Sequence, residues 1–214
     1  MRNYLAFRVS GLMSRRSRMG YLLTLKTLLF SLFCFSLGFA QPKEPILDTQ
    51  PGPGHDYFTA HEVRSTKNYL DNLTANHTDK IAGFIREGKM DAAIFDVKYT
   101  LDRFPNHPKG LQMAGVVSQL IKKRSLAVYY FERALKLYPR YAITHAQYGA
   151  YLVGIGETEA GIGRLKEAIE IDPKLTAAYV VLAKAYNKVG NLDLAQQAAE
   201  KARDLGYKGE VPLR

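Results

Sequence analysis

Five histidines, His55, His61, His77, His107 and His145, have the widest chemical reach of any residues in this chain. An imidazole can ligate a metal, act as a general base or relay a proton. Each of those uses needs company. A helical metal site needs two ligands one turn apart on the same face, and no His-x-x-x-His pair or neighbouring carboxylate cluster occurs. Nucleophilic catalysis needs a hydroxyl or thiol held beside the base, and no catalytic motif surrounds any of the five. The single cysteine, Cys34, sits in the first 40 residues. Thiol chemistry, cysteine-ligated zinc, iron–sulfur clusters and disulfides are therefore excluded from residues 41–214. Pro51-Gly52-Pro53-Gly54 is rich in glycine, but no Gly-Lys-Ser/Thr follows it, so it is not a phosphate loop. These absences point away from an enzyme, a metal or a cofactor. What is left is recognition by amides, lysines and aromatic rings, and the fold must position them.

The formal charge of +10 invites a nucleic-acid reading, which fails once the charges are located. Arg2, Arg8, Arg15, Arg16, Arg18 and Lys26 precede the first acid, Glu44; without them 24 basic residues face 20 acidic ones. That balance is ordinary for a soluble surface, so no nucleic-acid partner is expected. Residues 1–40 read instead as an export leader. Arginines precede an uncharged apolar run from Thr27 to Ala40, which ends Gly38-Phe39-Ala40 before Gln41-Pro42. Small residues at the last and third-last positions predict cleavage between Ala40 and Gln41. The alternative is an uncleaved membrane anchor, although the run falls short of the roughly 20 residues that span a bilayer. The leader is long when counted from Met1, and a start at Met13 or Met19 would give a conventional length. The expected location is periplasmic or secreted, with membrane contact only through an uncleaved leader.

The rest of the chain is organised by a repeat. Gly115, Ala127, Phe131, Ala134 and Pro139 recur 34 residues later as Gly149, Gly161, Leu165, Ala168 and Pro173. Pro105 lies one period earlier, and Ala183, Gly190 and Ala202 continue the pattern forwards. A fixed period of this size marks stacked supersecondary units. Aligning the prolines gives four units over 74–209, each with two helices. Small residues at Gly115, Gly149 and Ala183 let paired helices approach. Bulky residues such as Phe84, Leu152 and Tyr186 fill the space between them, with Ser118 an exception. Gly88, Gly156 and Gly190 sit where the chain reverses with positive φ. Lys122 holds the same position in the second unit, which should strain that turn by about 1 kcal/mol. Each proline ends a second helix, because the residue before it is pushed out of the α region.

This order of small, bulky and small residues closed by proline at period 34 resembles the tetratricopeptide repeat family. The resemblance is clear in units two to four and weak in unit one, where Ile81 and Thr100 replace the small residues. The usual early tryptophan is replaced by Leu111, His145 and Tyr179. The resemblance implies an all-α fold, a right-handed superhelix of antiparallel helix pairs (an α-solenoid), whose first helices line a concave groove. It also implies a groove floor drawn from Lys109, Gln112, Val116, Gln119, Gln147, Ala150, Lys184, Asn187 and Lys188. Amides and lysines there suit an extended peptide backbone or a carboxylate. The same residues also fit simple solvated faces of amphipathic helices. The lysine and asparagine clamp by which some relatives hold a C-terminal carboxylate is not reproduced. Gln112 and Val116, or Ala146 and Ala150, stand where it would be. Tyr129, Tyr130, Tyr138, Tyr141, Tyr148 and Tyr151 cluster in units two and three, and some of them are candidates for an exposed aromatic anchor.

Outside the repeats, 41–56 reads as a Pro/Gly-rich linker. Residues 57–73 read as an N-terminal lid with a short helix over Val63–Asn72, and 210–214 as a tail. Gln196 and Arg203 replace apolar residues at their repeat positions, so the last helix is expected to cap the array, with no further repeat after it. The expected function is a non-catalytic scaffold or adaptor of the cell envelope that binds a peptide or protein in the groove. The alternative is a structural subunit that self-associates or docks without using it.

Overall fold

The computed structural model describes residues 54–211. The leader, the Ala40–Gln41 junction and most of the linker lie outside the described residues. All regular structure in the described part is helical. Helix α1 (Arg64–Asn76) leads into four pairs: α2 (Ile81–Arg86) with α3 (Met90–Arg103), α4 (Pro108–Leu120) with α5 (Arg124–Leu137), α6 (Ala142–Gly154) with α7 (Thr158–Ile171), and α8 (Thr176–Lys188) with α9 (Leu192–Asp204). The pairs stack in sequence as the expected α-solenoid, a right-handed superhelix of antiparallel helix pairs.

The repeat governs the turns atom by atom. In every pair the turn closes with the same backbone bond to the carbonyl of the bulky position: Lys89 N to Phe84 O, Lys123 N to Ser118 O, Glu157 N to Leu152 O and Asn191 N to Tyr186 O, at 2.8–2.9 Å. This closure requires a left-handed residue between the helices. Gly88, Gly156 and Gly190 supply it at φ of 71°, 94° and 80°, and Lys122 is forced to 55°. Because a Cβ is penalised in that region, Lys122→Gly is expected to raise stability by about 1 kcal/mol. A higher urea midpoint at unchanged slope would show it, and an unchanged midpoint would refute it. At the other end, Phe104, Tyr138 and Asp172 turn extended before their prolines, each N–H returning to the carbonyl four residues back.

Small residues bring the helices of a pair together. A Cβ on Gly149 would lie 2.7 Å from Leu165 Cγ and 2.9 Å from the Gly161 carbonyl. One on Gly161 would lie 2.6 Å from Val153 Cγ2 and 2.8 Å from the Gly149 carbonyl. Helices α6 and α7 thus touch backbone to backbone. Ser118, the break in the bulky pattern, also has a physical reason. Tyr151 reaches back from unit three to fill the space, with its Oη 2.9 Å from Ser118 Oγ and its ring against Gly115.

Two readings of the N-terminal segment change. Helix α1 extends to Asn76, past the Asn72 expected. Val63 is not part of its apolar stripe but caps it, 55% exposed. Leu73 is the buried contact, packed with Ala60 and Phe104. The end of the 41–56 stretch is no free spacer either. Gly54 accepts a hydrogen bond from Tyr138 Oη, and His55 N donates to Arg103 O. The Asp56 carboxylate accepts from Tyr141 Oη at 2.5 Å, Asn106 Nδ2 at 2.7 Å and Phe58 N at 3.0 Å. Asn106 is buried and its Oδ1 accepts from Tyr57 N; Phe58 stacks on Tyr141 at 4.3 Å. This strap joins the loop after α3 to the loop after α5. The hydrogen bond to Asp56, with burial, pushes the Tyr141 phenol up to about 12. Asp56→Ala leaves the buried Asn106 amide without its acceptor. It should cost about 2 kcal/mol, read as a lowered urea midpoint, and wild-type stability would contradict the strap's role.

His107 completes this junction. It caps α4 one residue before Pro108, its Nδ1 accepting from Gly110 N at 3.2 Å. The ring proton therefore sits on Nε2, 3.4 Å from Thr74 Oγ1. The cap explains why α4 begins three residues before the expected Leu111. His145, at the tryptophan position, is buried between Glu167 Oε2 and the Pro139 carbonyl, both at 2.9 Å. It ties α6 to α7 and to the loop before α6.

Candidate binding groove

Helices α4 and α6 run side by side on the inner face of units two and three. Between them lies a cavity of about 330 Å³ lined by Leu111, Gln112, Gly115, Val116, Gln119, Phe131, Gln147, Ala150 and Tyr151. A second hollow of about 290 Å³ continues it toward the turns, where Ser118, Lys122, Arg124, Gly154 and Ile155 join Gln119 and Tyr151. The first helices meet here because a glycine on each makes room for a larger side chain of the other, Gly115 for Tyr151 and Gly154 for Gln119. Gly115, covered by Tyr151, forms part of the floor.

The structure brings together five of the residues singled out for the floor: Gln112, Val116, Gln119, Gln147 and Ala150. It does not bring the others into either hollow. Lys109 is tied to Asp79 at 2.6 Å. Lys188 Nζ donates to the Val153 carbonyl at the end of α6, at 2.9 Å, a favourable place for a cation. Asn187 is half-buried, and Lys184 is exposed. Lys184 lies one repeat beyond Ala150 and two beyond Val116, so it continues their row onto α8.

The cavity mixes apolar and amide surface. Val116, one of its lining residues, is 39% exposed. Gln147 Nε2 donates to the Pro108 carbonyl at 3.0 Å. Its Oε1 is buried and has no hydrogen-bond partner among the described residues. Leaving an acceptor in that state costs about 1–3 kcal/mol. Sequence reasoning missed Tyr151 as floor, Lys122 and Arg124 at the rim, and the Arg124–Glu157 ion pair between successive turns. The replacement of a bulky residue by Ser118 was the available signal for Tyr151.

The tyrosine cluster does not supply an exposed anchor. Tyr130, Tyr148 and Tyr151 are buried, and Tyr129, Tyr138 and Tyr141 are half-buried. Among the described phenylalanines and tyrosines the exposed ring is Phe95 on α3, at 60%. Among the described residues no group of three histidine, cysteine or carboxylate side chains is placed to hold a metal. No described helix is long and apolar enough to cross a membrane.

Comparison with solved structures agrees with this geometry. The structure of Pseudomonas aeruginosa pilF superposes with a TM-score of 0.51 at 21% identity, over 64% of this chain and 63% of that one. The fold is a tetratricopeptide-type solenoid. A tetratricopeptide repeat protein from Parabacteroides merdae gives a TM-score of 0.49 at 17% identity, over 65% of this chain and 54% of that one. In sequence, anaphase-promoting complex subunit 3 of Dictyostelium discoideum is 30% identical over 82 residues, which is 38% of this chain and 8% of that protein. The chain therefore spans a small part of that relative's length. No protein-family model matches the chain.

Proposed function

We propose that this protein is a non-catalytic scaffold or adaptor of the cell envelope, which holds an extended peptide segment of another protein in the groove between α4 and α6. One observation carries the reading: a cavity between α4 and α6 lined by three glutamines, Gln112, Gln119 and Gln147, beside apolar side chains. An extended backbone presents N–H and C=O groups at every second residue on one side, which side-chain amides of this kind can pair. The envelope location is supported by the arginines and the apolar run before Ala40. A photo-crosslinking amino acid placed at Gln147 or Val116 of the full chain, expressed in the native host, is expected to give one defined adduct. The same group at Phe95 is expected to give none. Adducts from Phe95 alone would sink the groove reading. They would favour the other arrangement, a structural subunit docking through its outer face, for which the 60% exposure of Phe95 is the supporting observation.

A further inference from the structure

We infer that the segment held in the groove is acidic, an extended stretch in which carboxylates alternate with apolar side chains; this rests on the groove reading above. The observation behind it is a segregation of charge. Helices α4, α6 and α8, the inner helices of units two to four, contain no aspartate or glutamate. Their partners on the outer face carry Glu132, Glu159, Glu170, Asp193 and Asp204, among others. A chain whose folded part is near charge balance thus has an inner face with lysines and amides and no acid of its own.

Two cations are placed for this use. Lys184 extends the row of Val116 and Ala150, is exposed, and takes part in no ion pair among the described residues. Lys122 lines the hollow beside Gln119. It does so at φ 55°, where the three sister turns have glycine. A lysine kept at a backbone cost is kept for its side chain, and strain of this kind concentrates at functional positions. Leu111 and Val116 give the cavity its apolar lining. In an extended segment successive side chains point to opposite sides. One set can therefore enter the cavity while the other meets the lysines. Single-stranded nucleic acid fits less well, because it needs exposed rings for its bases, and the rings at this site, Phe131 and Tyr151, are 1% and 6% exposed.

The test uses the full chain and three fluorescein-labelled peptides in anisotropy titrations. One alternates leucine with glutamate; its twins carry glutamine or lysine in place of glutamate. The glutamate peptide is expected to bind about tenfold tighter than the glutamine twin at low salt, with the gap closing as salt screens it. The lysine twin is expected not to bind. Lys184→Glu should remove the gap while helical circular dichroism stays unchanged. Ala150→Trp, or Val116→Trp should the first fail to fold, should block the glutamate and glutamine peptides together. Equal binding of those two peptides, still blocked by the tryptophan, would overturn the acidic assignment and leave the groove reading standing. Binding of the glutamate peptide that ignores the tryptophan would overturn both. No binding by any peptide, or equally tight binding of an oligothymidine, would overturn the acidic assignment as well.

Discussion

Gly161→Ala is expected to destabilise the protein by about 3 kcal/mol, the upper part of the range for forcing an extra methyl into a packed contact. The added Cβ would meet Val153 Cγ2 at 2.6 Å, the Gly149 carbonyl at 2.8 Å and Val153 N at 3.0 Å. Two of those three atoms are backbone, so the only relief is to part α6 from α7, which loosens Leu165 and Leu152 behind them. Gly163, two residues along the same helix, supplies the control. A Cβ there meets nothing within 4 Å, so Gly163→Ala should stabilise by roughly 0.5–1 kcal/mol through helix propensity alone. Equilibrium urea unfolding of both variants checks the pair. If the two substitutions act alike, α6 and α7 do not touch backbone to backbone.

Acid should weaken the fold through His107, by about 3 kcal/mol between pH 7 and pH 4. Burial holds this imidazole down to about 4 from its usual 6.5, opposed by its own backbone hydrogen bond and by the charge of Asp79. The unfolded chain therefore binds a proton below about pH 6.5 that the folded chain refuses until about pH 4. Stability from the neutral ring is complete above 6.5 and is lost as pH falls through that window. Protonation would also cost α4 its cap, since Nδ1 must stay bare to accept from Gly110 N. His107→Asn keeps an acceptor at the cap and has no proton to take up. The stability gap between wild type and this variant should shift by about 3 kcal/mol in the variant's favour from pH 7 to pH 4. Parallel pH profiles would place the acid sensitivity elsewhere.

How much of this was readable in the chain depends on whether the feature repeats. The turns were readable, because a left-handed position recurs every 34 residues and its three glycines make the odd lysine visible. The backbone contact of Gly149 with Gly161 was readable for the same reason. The strap was not. Asp56 and Tyr141 are 85 residues apart, and nothing periodic connects them. Proline and glycine before Asp56 signalled a spacer, and only the side chains that follow show the docking. The groove was half readable. Its glutamines and small residues follow from the register of the first helices. Lys109 and Lys188 share that register, yet long flexible side chains reach neighbouring groups, Asp79 and the Val153 carbonyl, which register does not forecast.

The strap has a mechanical consequence for anything held between the units. Gly54, Asp56 and Phe58 brace the loops that separate units one, two and three. Unit four is held by its own stacking and by Lys188 on Val153. Bending at the joints between units would have to break the strap's bonds at the first two, and the packing of α7 on α8 together with the Lys188 bond at the third. The cavity between α4 and α6 thus lies between units whose flanking loops are tied together by side chains from outside the repeats.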